Sequence, residues 1–213
     1  MAYHFIVMGD ILKSSKYEGK ELMRDFKGLV SSCNKKLAKG IVSPYTITLG
    51  DEFQGISKSL YWSVQSLLYL EESVLRKGFP FMLRYVVNYG QIDTSLNRRI
   101  AHGMVGYGLT HTRELLTTKH KGLPRFLFEL PDQHLAMQLS GLFGVMASLT
   151  RDWKQKDIDL IFEMLGSDDN AVIGAKYGKN RSQIWKRRRN MHIDDYKALK
   201  TITIQLSERE KIG

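Results

Sequence analysis

The sequence predicts an α+β fold: a ferredoxin-like, split βαββαβ domain over residues 1–150, followed by a small all-α module over residues 151–213. Three observations predict it. Apolar runs rich in Ile, Val, Phe, Tyr and Thr alternate with stretches of helical periodicity. Two of those runs follow one another across Gly50-Asp51, which reads as a hairpin bend. Near Thr150 an apolar helix gives way to the charged Arg151-Asp152-Trp153-Lys154-Gln155-Lys156. Mixed alternation of this kind places helices on one face of an antiparallel sheet.

Residues 3–12 are apolar enough for a buried strand. Residues 15–37 follow as an amphipathic helix through Leu22, Phe26, Leu29, Val30 and Leu37, which Ser43-Pro44 breaks. The run at 45–49 and its antiparallel return at 52–56 meet at Gly50-Asp51. Residues 60–75 read as a long buried helix ended by Gly78 and Pro80, and 81–92 as a strand holding Arg84, Asn88 and Gly90. Gly106-Tyr107-Gly108 leads into a helix carrying Arg113 and Glu114. A short strand at 125–130 precedes the helix at 133–149, which Asp132 can cap.

With 43% hydrophobic residues the chain has ample material for a core, and no stretch approaches the roughly 18 apolar residues of a membrane span. The N-terminus lacks a basic leader and cleavage site. A single cysteine, Cys33, excludes an internal disulfide, and the histidines lack ligand spacing. A soluble, cytoplasmic protein is the expectation. The net charge of +10 suggests a polyanionic partner, although basic charge also serves solubility. Its distribution says more, because Lys176, Lys179, Arg181, Lys186, Arg187, Arg188 and Arg189 cluster with no acid among them.

Asp10 and Asp51 each follow a glycine at the end of an apolar run. Gly-Asp is ordinary turn chemistry, and either pair alone reads that way. Both together, on adjacent strands, point to carboxylates that hold Mg²⁺ against a nucleotide's phosphates. Glu52 reads equally as a third acid at the metal or as a strand residue, and Arg84 and Asn88 either face the site or pair within the sheet.

The C-terminal module has helical spacing at 157–165, at 170–178 and at 181–191. Ile173, Gly174, Tyr177, Gly178 and Ile184 stand where a helix-turn-helix needs a core residue, a small crossing residue, a left-handed glycine and an apolar anchor. Its recognition helix would offer Arg181, Ser182, Gln183, Lys186 and Arg187 to double-stranded DNA, with Trp185 in the core. The bland reading is a solvated basic helix packed on the main domain.

Gly9-Asp10-Ile11 with Ser14-Ser15, Leu49 to Gly55, Arg84 to Gly90, and Gly106 to Glu114 together resemble the SatD family, over essentially the whole chain. The core is similar to the catalytic domain of class III nucleotidyl cyclases and, more distantly, to GGDEF domains. The resemblance implies two Mg²⁺ ions at Asp10 and Asp51 with the Ile11 carbonyl, phosphate cradled by Ser14 and Ser15 at a helix start, and a close approach at Gly50. It further implies Arg113 on the phosphates, a nucleoside triphosphate ligand and a homodimer. Departures are visible: Ile47 and Thr48 stand where those cyclases carry a base-selecting lysine, and Leu49 replaces the first glycine of GGDEF. The leading expectation is a DNA-binding regulator whose cyclase-like domain binds a nucleoside triphosphate with Mg²⁺, and the alternative is an active nucleotidyltransferase.

Overall fold

A computed structural model describes residues 2–17, 19–118 and 124–209; residue 18 of the first predicted helix and residues 210–213 of the C-terminal module lie outside the described residues. The chain runs β1 (Ala2–Ile11), α1 (Gly19–Lys36), β2 (Ile41–Ile47), β3 (Glu52–Ser57), α2 (Leu60–Lys77), β4 (Leu83–Ile92), α3 (Tyr107–Thr117), β5 (Phe126–Glu129) and α4 (Gln133–Leu149). Four helices follow: α5 (Ile158–Gly166), α6 (Asn170–Lys176), α7 (Arg181–Asn190) and α8 (Ile193–Glu208).

The five strands stand in the order β2-β3-β1-β4-β5. β3 lies between β1 and β2 and is antiparallel to both, and β1 is antiparallel to β4, which is the split βαββαβ arrangement. β5 adds a fifth strand, parallel to β4. The strand at β2 begins before Ser43-Pro44 rather than after it. An edge strand tolerates proline, and the register of β2 on β3 shifts on either side of Ser43.

Alternate residues of the central strand enter two cores. Phe5, Val7 and Ile11 join a large core with Phe26 of α1, Leu67 of α2 and Phe143 of α4. Ile6 and Met8 point the other way, into a smaller core with Leu109 and Leu116 of α3. Helices therefore cover both faces, not one. The reason lies in β1 itself, whose Ile6, Val7 and Met8 are all fully buried, so neither face of the sheet centre can meet water. Gly90 and Gly108 let α3 cross β4 closely: a Cβ at Gly108 would lie 2.6 Å from the Gly90 carbonyl carbon.

The large core continues without a break into the C-terminal helices through Trp153, Ile161, Met164, Ile173, Ile184, Ile193 and Tyr196. Polar contacts tie the same parts together. The Trp153 indole donates to the Met191 carbonyl at 2.9 Å, the Tyr196 hydroxyl to Glu72 at 3.2 Å, and Arg76 lies 4.0 Å from the Phe162 ring centre. α8 was not legible in the sequence. Its Thr201-Ile202-Thr203-Ile204 run is β-branched and disfavours helix, and packing against α2 and α4 overrides that preference. Among the described residues no helix is long and apolar enough to cross a membrane.

Candidate functional site

Gly9 has no side chain because the Phe53 ring of β3 occupies the space; a Cβ there would lie 2.6 Å from Phe53. The next residue, Asp10, alternates to the α3 face of the sheet. Directly across β4 stands Arg84, and across β3 stands Glu52. The hairpin that carries Asp51 is closed by Thr48 N–H donating to the Glu52 carbonyl at 2.9 Å, with Gly50 at φ 65° in the left-handed region. The Ile11 N–H then donates to the Asp51 carbonyl at 3.0 Å. That bond places the two predicted acidic positions on either side of one main-chain contact.

The carboxylates do not share one environment. Arg84 holds Asp10 in a bidentate pair, Nε to Oδ1 at 3.1 Å and Nη2 to Oδ2 at 2.6 Å, with side chains 20% and 21% exposed. Arg113 of α3 donates to Glu52 Oε1 at 3.1 Å and to Gln54 Oε1 at 3.0 Å. Glu52 is buried and Arg113 is 41% exposed. Among the described residues the Asp51 carboxylate has no hydrogen-bond or ion-pair partner. Three acids and two arginines thus lie on adjoining strands and one helix, and only Asp51 lacks a counter-charge.

Other expected members fall elsewhere. Ser14 and Ser15 sit in a single 3-10 turn, Ser14–Lys16, while α1 starts only at Gly19. A three-residue turn provides little of the aligned dipole expected there. The amides of Leu12, Lys16 and Tyr17 already donate to the Met82, Lys13 and Ser14 carbonyls. Asn88 is structural: it donates to the Gly108 carbonyl at 3.2 Å and to Thr112 Oγ1 at 2.9 Å, fastening α3 to β4. Gln54 was missed, yet its alternation with Glu52 along β3 was a readable signal. A cavity of about 670 Å³ opens beside the cluster, lined by Thr48, Leu49, Gln54, Val105, Leu109 and Arg113. Ligand cavities fall in this size range.

For Mg²⁺, the donor type is right, since carboxylate and carbonyl oxygens suit a hard cation. Among the described residues no group of three or more acidic, histidine or cysteine side chains gathers at one point, and both Asp10 oxygens belong to Arg84. With Asp10 committed to Arg84, the residues as they stand do not form a ready centre for one or two ions.

In the C-terminal part, Asp169 and Asn180 cap α6 and α7, and the Asn180 cap is reciprocal, its N–H donating to Gln183 Oε1 at 2.9 Å. Gly178 takes φ 62°, and a Cβ on Gly174 would lie 2.4 Å from the Lys179 carbonyl oxygen. Ile173 and Ile184 are buried. Arg187 Nη1 donates to Asp157 at 2.8 Å, and Arg188 is buried, bonded to Asn170, Asp168, Asp194 and the Ser167 carbonyl. Trp185 is not core: it is 51% exposed, with Arg189 5.0 Å from its ring centre. The exposed residues of α7 are therefore Arg181, Ser182, Gln183, Trp185, Lys186, Arg189 and Asn190, with Gln183 also engaged in the cap. The spacing of Arg181, Trp185 and Arg189, four residues apart, was the available signal.

A five-stranded α+β sheet protein with an acid–guanidinium cluster on its α3 face and a basic helical extension is the class these features define. The SatD family model matches residues 4–197, and the chain belongs to that family. No curated protein matches it. Among solved structures it is similar to the guanylate cyclase domain of RhGC from Catenaria anguillulae in complex with GTP, at 16% identity and TM-score 0.40, covering 55% of this chain and 73% of that one. It is also similar to a bacterial light-regulated adenylyl cyclase, at 14% identity and TM-score 0.42, covering 60% of this chain and 75% of that one. Likeness at this level says nothing of substrate or chemistry.

Proposed function

We propose that this SatD-family protein is a DNA-binding regulator, in which α6 and α7 form a helix-turn-helix and the α3 face of the sheet binds a nucleoside triphosphate with Mg²⁺. One observation carries the reading: α7 is held by a capped turn and a buried Ile184, and it presents a solvent face that includes Arg181, Ser182, Trp185, Lys186 and Arg189 without a single acid. A rigid helix with such a face matches the phosphate spacing and major groove of a duplex. Arg187 and Gln183 serve mainly the fold, through Asp157 and the Asn180 cap. Support for the ligand side is the cavity beside Arg113 and the uncompensated Asp51 carboxylate. The Mg²⁺ of a triphosphate would supply charge neutralisation there, while Arg113 and Arg84 would orient the phosphates.

The test is duplex binding against salt concentration, read by fluorescence anisotropy. Arg181→Ala with Lys186→Ala should weaken binding and lower the log–log salt slope by about two, since each phosphate contact contributes roughly 0.9. Arg187→Ala should change the slope less. A double variant with unchanged affinity and slope overturns the reading.

The second reading, a nucleotidyltransferase, is favoured by the main-chain bond between Ile11 and Asp51, which joins the hairpin to the end of β1 next to Asp10. Opposing it are the Arg84–Asp10 pair and the absence of a lysine at Ile47 and Thr48. Pyrophosphate release from ATP, GTP, CTP or UTP with Mg²⁺ or Mn²⁺ would establish it, and its absence with all four removes it.

A further inference from the structure

The bidentate pair between Asp10 and Arg84 has the geometry that a metal ion would need to displace. The two residues are direct cross-strand partners, so strand register delivers the guanidinium to the carboxylate. Both Asp10 oxygens are used, at 3.1 and 2.6 Å, and the pair is only one-fifth exposed. Competition from water is accordingly weak. No other arginine of the cluster stands ready to replace Arg84, because Arg113 is committed to Glu52 and Gln54 on β3. The unpartnered carboxylate is Asp51, and one carboxylate alone makes a poor divalent site.

We propose that Arg84 is the resident counter-cation of Asp10, and that it excludes a divalent ion from the site until a polyphosphate draws the guanidinium away. The inference rests on the nucleotide-binding reading only in taking Asp10 and Asp51 as the metal's side chains. The coupling follows from which groups are already paired, since Asp10 and Glu52 each hold an arginine and only Asp51 does not. A phosphate offers Arg84 the same fork geometry that Asp10 does, so the exchange keeps every donor satisfied. Metal and phosphate therefore bind together, and neither binds well alone.

The experiment is a Mn²⁺ titration of the full chain, followed by electron paramagnetic resonance of the free ion, with and without a non-hydrolysable triphosphate. Arg84→Met removes the donors and keeps an unbranched stem on the strand. If Arg84 holds Asp10 nine parts in ten, the variant binds Mn²⁺ alone about tenfold more tightly than the wild type. Adding Asp51→Asn to Arg84→Met should abolish that gain. The triphosphate should raise Mn²⁺ affinity in the wild type by a larger factor than in Arg84→Met. Should Arg84→Met fail to fold, Arg84→Lys keeps the charge, loses the fork, and should fall between the two. Equal Mn²⁺ affinity in wild type and variant, or equal enhancement by triphosphate, overturns the proposal while leaving nucleotide binding intact. Absence of Mn²⁺ binding in every protein, with and without triphosphate, sinks both the proposal and the reading beneath it.

Discussion

The two faces of this sheet differ in what they bury. The face under α1, α2 and α4 is aromatic and aliphatic, with Phe53 wedged among Phe26, Tyr45 and Tyr85 at ring distances of 5.5 to 6.4 Å. The face under α3 has a small apolar patch and then a row of polar side chains: Asp10, Glu52, Gln54, Arg84 and Arg113. One face is organised for close packing, the other for charge. The lesson is a division of labour within single strands, since Phe53 and Glu52 are neighbours in sequence yet belong to opposite faces.

Mutations should break the comparison most sharply on the packed face. Phe53→Ala empties a fully buried aromatic site, and about 3–5 kcal/mol of stability should be lost in urea unfolding. Next comes a partly buried ion pair on that side. Glu71 accepts from Arg125 Nη2 at 2.7 Å on each oxygen and from the Tyr85 hydroxyl at 2.8 Å. Glu71→Ala leaves Arg125 without its counter-charge and should cost about 3 kcal/mol.

The same carboxyl gives a pH signature. Burial raises the Glu71 pKa, against the lowering effect of Arg125. A folded value above the unfolded one means that this group's contribution is fully present below the usual carboxylate range and declines as pH climbs towards the raised value. Unfolding midpoints of Glu71→Gln should lack that part of the wild-type slope just above the usual carboxylate range. On the charged face the effect is smaller. Glu52→Gln frees an Arg113 that is already half-solvated, and about 1 kcal/mol should be lost, with the unfolding slope unchanged. Smallest of all is Cys33, whose thiol burial pushes up to about 12; it should resist a thiol reagent in the folded protein and react only on unfolding.

Much of the frame was legible beforehand. The strands, the Gly50-Asp51 hairpin, the Asp132 cap and the Gly78 stop all follow from local chemistry, because turns and caps are decided within a few residues. The second face of the sheet was not legible, since an apolar run buried on both sides has no alternation to expose it. α8 was hidden by its β-branched centre. At the candidate site, the sequence singled out Asp10, Asp51, Glu52, Arg84 and Arg113, but which arginine holds which acid depends on strand register and on the seating of α3. Trp185 and Arg188 illustrate the same limit: adjacent positions around a helix decide that a tryptophan faces water while an arginine is buried.

By itself the sequence determined the element types and the hairpin, because these depend on interactions spanning a few residues. The tertiary structure alone decided that Arg84 lies opposite Asp10, that α3 brings Arg113 to Glu52, and that the C-terminal helices share the sheet's core. Those pairings join residues 61 and 74 positions apart, and only the packing of the whole chain selects them.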